Sequence, residues 1–191
     1  MTPSSQRAAR LVLTLLLAAY GISCLRHPVD FRIVDNLNLP IHETGHLVFA
    51  PFGDFLHVLG GTLFQFIVPL VFVGYFVAKR DRHAASVALW WVATNLWYIA
   101  VYIADARAQE LPLVGGGEHD WAYILGERGL MHRDVAIGLA VHTWGVAVFV
   151  VAIVWGILEA VWMKPPAAVA AADPSRLAAE DDRLRSWIQR A

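Results

Sequence analysis

The stretch Leu39-Pro40-Ile41-His42-Glu43-Thr44-Gly45-His46-Leu47-Val48-Phe49 sets a His-Glu-x-x-His pattern inside an apolar run. On a helix, positions i and i+4 share a face, so His42 and His46 can offer two imidazole nitrogens to one metal ion. Glu43, one step round the helix, is placed to take a proton from water rather than to bind the ion. Zinc suits such a site, because it accepts neutral nitrogen and carboxylate oxygen tetrahedrally while keeping one position open. Random placement of the chain's histidines and glutamates would give this pattern in roughly one such sequence in a hundred. The competing reading is two histidines that hydrogen-bond or pack inside a membrane helix. Pro40 stands at a helix-starting position and Asn36 or Asn38 can cap, which predicts a helix over about residues 39–50. Twelve residues rise only about 18 Å, against a hydrocarbon core of roughly 30 Å. Pro51-Phe52-Gly53 then breaks the helix. The motif helix is therefore expected to enter the membrane partway, or to lie in a cavity between other helices.

Around this stretch the chain is 58% hydrophobic and only 16% charged over 191 residues, with a mean hydropathy of +0.51. That composition points to an integral membrane protein. A net charge of −1 gives no reason to expect nucleic acid as a partner. Cys24 is the only cysteine, which rules out an intrachain disulfide and any cysteine-based metal site.

Working outward, four apolar runs are long enough to cross a bilayer: residues 8–25, 55–78, 84–104 and 135–163. For the first, a cleaved signal peptide is the competing reading; a retained helix is preferred. The expected architecture is all-α, a polytopic membrane helical bundle of four full spans plus the short motif helix. Residues 1–164 form the membrane-embedded domain. Residues 165–191 form an Ala/Pro linker and a terminal amphipathic helix. Lys79-Arg80-Asp81-Arg82 and the Arg7/Arg10 end carry the positive charge of short loops, which keeps such segments cytoplasmic. Four spans put both termini and Lys79–Arg82 on that side. The expected location is the cell (inner) membrane, with the lipid bilayer as the first partner. The 105–134 loop, with three arginines against six carboxylates, then lies on the opposite face. His42, His46, Asp54, His57, Asp105, Asp120 and His142 all fall near that face, and ionisable groups in or near spans are expensive and mark function.

Two histidines do not complete a catalytic zinc site, which has three protein ligands. The candidates for the third are Asp120, Asp105, His119, His142 and His57. Asp120 is preferred, because it follows a glycine run that lets backbone approach closely and precedes Trp121, which can anchor the loop at the interface. Its alternative role is to cap a helix over residues 121–125. Asp105, His119 and His142 remain as alternative ligands or partners of the ligands, and His57 reads as structural. Asn95 and Gln65 can position a substrate backbone, although hydrogen bonds between helices are the usual role of such residues.

His42-Glu43-Thr44-Gly45-His46 on a membrane-embedded helix, with a distant carboxylate after a Leu-Pro and Gly-rich stretch, resembles the site-2 protease family of intramembrane zinc metallopeptidases, the M50-like group. The resemblance implies His42, His46 and Asp120 as zinc ligands and Glu43 as general base for cutting a peptide bond near the membrane, in a transmembrane or membrane-proximal protein. The chain differs from the family in carrying His119-Asp120-Trp121 where an Asp-Gly pair is usual. Two other function classes remain: a different membrane metalloenzyme, such as a lipid hydrolase or an oxygenase, and a non-catalytic membrane protein. Oligomeric state is not legible in the sequence.

Overall fold

The hydrophobic runs become helices in a computed structural model, which describes residues 3–112 and 118–162. In chain order these are α1 (Pro3–Arg26), α2 (Asp35–Phe49), α3 (Asp54–Ala78), α4 (Arg82–Ala104), α5 (Asp120–Glu127) and α6 (Asp134–Trp162), with 3-10 turns at Ala50–Phe52 and Met131–Arg133. The described residues contain no strand, and four of the helices, within α1, α3, α4 and α6, are long and apolar enough to cross a membrane. The chain is a multi-pass, all-α helical bundle. The linker and terminal helix expected over residues 165–191, and the glycine run 115–117, lie outside the described residues.

α4 is the central helix. In its apolar window 56% of the residues are buried, against 17–28% for the other three spans, whose remaining faces are left for lipid. It lies against α6, α3 and α1. Its tryptophans tie it to its neighbours, since an apolar ring with one N–H needs an acceptor when buried. Trp90 Nε1 donates to Leu17 O of α1 at 3.0 Å, and Trp91 Nε1 donates to Asn38 Oδ1 of α2 at 2.8 Å. At the basic end of the bundle Arg10 faces Asp81 at 3.6 Å and Arg82 faces Glu159 at 3.8 Å. The carboxylates Asp54, Asp105, Asp120 and Asp134 mark helix ends at the other extremity.

α2 begins at Asp35, four residues before the expected start at Leu39, and Pro40 is inside the helix rather than at its first turn. Neither Asn36 nor Asn38 caps it. The turn before the helix is closed instead by Asp35, whose Oδ2 accepts from the Arg32 N–H at 2.8 Å. Asn38 is fully buried between Asp35 and Trp91. At fifteen residues α2 rises about 22 Å, still short of a full span. It runs antiparallel to α3 at very close range. An added Cβ on Gly45 would collide with the Gly60 carbonyl, and one on Gly60 would stand 2.7 Å from the Gly45 carbonyl. Backbone meets backbone there, which only glycine permits.

The expected 105–134 loop contains the eight-residue helix α5. Its cap is His119, whose Nδ1 accepts from the Ala122 N–H at 3.2 Å. The capping role expected as the alternative for Asp120 therefore falls to its neighbour, and the Asp120 carboxylate is left for other partners.

Candidate metal centre

His42 and His46 stand one turn apart on α2, and their rings meet edge to face with centroids 4.8 Å apart. The third donor arrives from α5. Asp120 Oδ2 lies 2.8 Å from His42 Nε2 and 3.4 Å from His46 Nε2, and the three donor atoms all lie within 4.8 Å of one another. Metal–donor bonds of about 2.0–2.1 Å in a tetrahedron put donors roughly 3.3 Å apart, a spacing that the two Asp120 distances already approach to about half an ångström. The two histidines are buried or nearly so, and Asp120 is 9% exposed.

Both imidazoles are oriented from behind. Gln65 Nε2 donates to Asn95 Oδ1 at 2.8 Å, which turns the Gln65 amide oxygen toward His42, whose Nδ1 donates to it at 3.1 Å. His46 Nδ1 donates to the His57 carbonyl at 2.9 Å. With hydrogen fixed on each Nδ1, each Nε2 is the atom available to an ion, and such outer hydrogen bonds set ligand tautomer and ring direction. Gly61 of α3 completes the wall. A Cβ there would stand 2.6 Å from His42 Nε2 and 2.7 Å from His46 Nε2.

Asp120 is held by Tyr102 of α4, whose hydroxyl oxygen accepts from the Asp120 N–H at 3.1 Å. The Tyr102 ring also packs on the His119 ring, with centroids 4.1 Å apart. Electrostatics agree with this geometry. The hydrogen bond to Asp120 raises the His46 pKa to about 8, against the opposing effect of burial. Burial pushes the Asp120 carboxyl up, but bonds from His42 and His46 outweigh it and leave the group below the usual carboxylate value.

The other sequence-derived residues fall elsewhere. Asp105 and His119 pair with each other, His119 Nε2 standing 3.4 Å from Asp105 Oδ2, and neither belongs to the three-donor group. The Asp105 carboxylate also accepts from the Glu110 and Leu111 N–H groups at 2.9 and 3.1 Å, so it shapes the chain leaving α4. Burial lowers the His119 pKa, in spite of Asp105. His142 lies on α6 beside Trp97, ring centroids 6.4 Å apart, away from the donor group. Gln65 and Asn95 are 1% and 0% exposed, which closes them to a substrate and makes them the support of His42. Sequence reasoning does not single out Asp35 or Tyr102, and names Asn38 only as a helix cap. Nothing in the spacing marks Asn38 and Tyr102, whose partners Trp91 and Asp120 come from other helices, and Asp35 bonds locally to Arg32 and Asn38.

Glu43 is exposed and lines a cleft of about 620 Å³ together with the three donors, His57, Leu47, Tyr98 and Tyr102. Leu111, Pro112 and Glu118 border the same cleft from the α4–α5 connection. A carboxylate on the ligand helix, open to the space in front of the donors, can exchange protons with water or substrate there.

The molecule is thus a multi-pass membrane protein with a His2Asp donor cluster at one end of its bundle. Compared with protein-family models, characterised protein sequences and solved structures, the chain finds no match.

Proposed function

We propose that this protein is a membrane-embedded zinc peptidase of the M50-like kind, hydrolysing peptide bonds in or near the bilayer. The observation that carries the reading is Asp120, which comes from 78 residues further along the chain to within hydrogen-bond distance of His42 Nε2. Three protein donors and one open side are the composition of a catalytic rather than a structural zinc site. Bound there, zinc would supply Lewis acidity and bring the pKa of water down to about 7. The rest of the work falls to the chain. Glu43 takes the proton from the attacking water and hands it to the leaving amine. Gln65, Asn95 and the His57 carbonyl keep the two imidazoles aimed. Leu47, 75% exposed, and Val48 offer an apolar approach for a transmembrane or membrane-proximal protein, whose helix must unwind locally before its peptide groups can reach Glu43. The charge pattern supports the cell membrane with Lys79–Arg82 and both termini cytoplasmic, which puts the cleft on the far face.

Zinc content and cleavage test this reading together. Purified protein should hold one zinc per chain and cut a transmembrane peptide. Glu43→Gln should keep the zinc and lose about 10²–10⁴-fold in kcat. Protein without stoichiometric metal, or a Glu43→Gln variant that still cuts, would remove the proposal. Release of fatty acid from phospholipid vesicles without peptide cleavage would transfer the site to a lipid hydrolase.

A further inference from the structure

We propose that His57 contacts the substrate, its Nε2 atom accepting a hydrogen bond from the N–H of the peptide bond being cut; this rests on the peptidase reading. His57 and His46 are joined by a reciprocal pair of bonds. His46 Nδ1 donates to the His57 carbonyl and His57 Nδ1 donates to the His46 carbonyl, each at 2.9 Å. A carbonyl oxygen only accepts, so each Nδ1 carries a hydrogen, and in the neutral form of either ring the lone pair is on Nε2. For His46 that lone pair would serve a bound ion. His57 is not among the grouped donors, yet its half-buried ring borders the same cleft, with its centroid 5.5 Å from that of His46.

Position on α3 says where this acceptor stands. His57 is four residues before Gly61, hence on the same helix face and one turn, about 5.4 Å, further out. Gly61 is the residue against which the His42 and His46 Nε2 atoms crowd. The His57 ring therefore stands about one helical turn from the Gly61 wall of the donor group, bordering the same cleft. A substrate unwound in this cleft brings peptide N–H groups that lose water and need acceptors. Glu43 is occupied with the proton of the attacking water, and the Tyr102 hydroxyl oxygen already accepts from Asp120. The fixed His57 tautomer supplies an acceptor without reorganisation. No proton is transferred in this contact, and the hydrogen stays on the substrate nitrogen.

The test separates the two faces of the ring. In His57→Asn the side-chain amide can replace Nδ1 as donor to the His46 carbonyl, but nothing reaches the Nε2 position. In His57→Gln the amide oxygen falls near where Nε2 stands. The probe is a Leu/Ala/Gly transmembrane peptide with a fluorophore and a quencher, its cut site mapped by mass spectrometry, together with a twin in which the scissile amide is an ester. In the zinc-loaded full chain, His57→Asn should lose about tenfold in kcat/KM on the peptide and little on the ester, with zinc content unchanged. His57→Gln should recover most of the loss. In a Glu43→Gln background, His57→Asn should weaken binding of the peptide but not of its ester twin. Equal losses on both probes, or an Asn variant no worse than Gln, would overturn the role of His57 and leave the peptidase reading standing. A zinc-loaded wild-type protein that cuts neither probe would overturn the peptidase reading itself.

Discussion

At His46 a proton and a bound metal ion would compete for the same nitrogen. With its pKa raised to about 8 by the Asp120 hydrogen bond, the metal-free side chain is largely protonated at pH 7, while a ligand imidazole must be neutral. Zinc uptake at pH 7 should therefore release close to one proton from this residue, and affinity should climb with pH until about 8 and then level off. Calorimetric titrations in buffers of different ionisation enthalpy would measure the release; a proton count of zero at pH 7 would contradict the pairing. Stability of the metal-free protein runs the other way. The folded-state pKa lies above the unfolded value of about 6.5, so the contribution of this pair is complete below that value and is lost as pH rises through about 8. The His42–His46 pair is legible in the sequence because an i, i+4 spacing advertises itself. Asp120 was one of several carboxylates and histidines whose order of merit only packing decides. The bonds that join His57 to His46 are not legible in the sequence, because they form only once α2 lies against α3.

The α2–α3 pair behaves as one element, because Gly45 and Gly60 bring the two backbones into contact and Gly61 leaves room for the imidazoles. Alanine favours a helix over glycine by about 1 kcal/mol, so Gly61→Ala should keep α3 intact while its new methyl pushes both rings off the ion. Zinc affinity, read by competition with a chelating dye, should fall about 10–100-fold. Gly74→Ala on the same helix, where an added Cβ meets nothing within 4 Å, should leave it unchanged. Equal effects of the two substitutions would show that crowding at Gly61 is not what shapes the centre. Proline at a first helical position predicts a start at Leu39 for the motif helix, but Pro40 is inside α2. The observed start is set by Asp35 reaching back to Arg32, a local bond that spacing alone does not reveal. Helix α5 was weakly signalled, being only eight residues long in a polar stretch. Its cap is His119, so the alternative reading of Asp120 as the cap does not hold.

For the whole molecule, hydropathy sufficed. Long apolar runs leave little choice but a spanning helix, and all four expected spans are helices within about five residues of the expected bounds. The charge asymmetry makes the sidedness testable. Cys24 is the sole cysteine, so a Cys24→Ala background accepts single reporters. A membrane-impermeant maleimide should label Glu118→Cys in intact cells and Arg80→Cys only after permeabilisation. The reverse pattern would invert the bundle, and labelling of both from one side would contradict the span count between them.

The first two donors belong to one tightly packed hairpin and the third to a separate short helix. An ion bound between them would thus be a tether across 78 residues of chain, closing a long loop much as a cystine would. In a protein with a single thiol, that coordinate bond is the form of cross-link open to these donors, and it would fasten the segment after α4 onto the ligand hairpin. Loading the centre would then assemble the roof of the cleft as well as arm its chemistry.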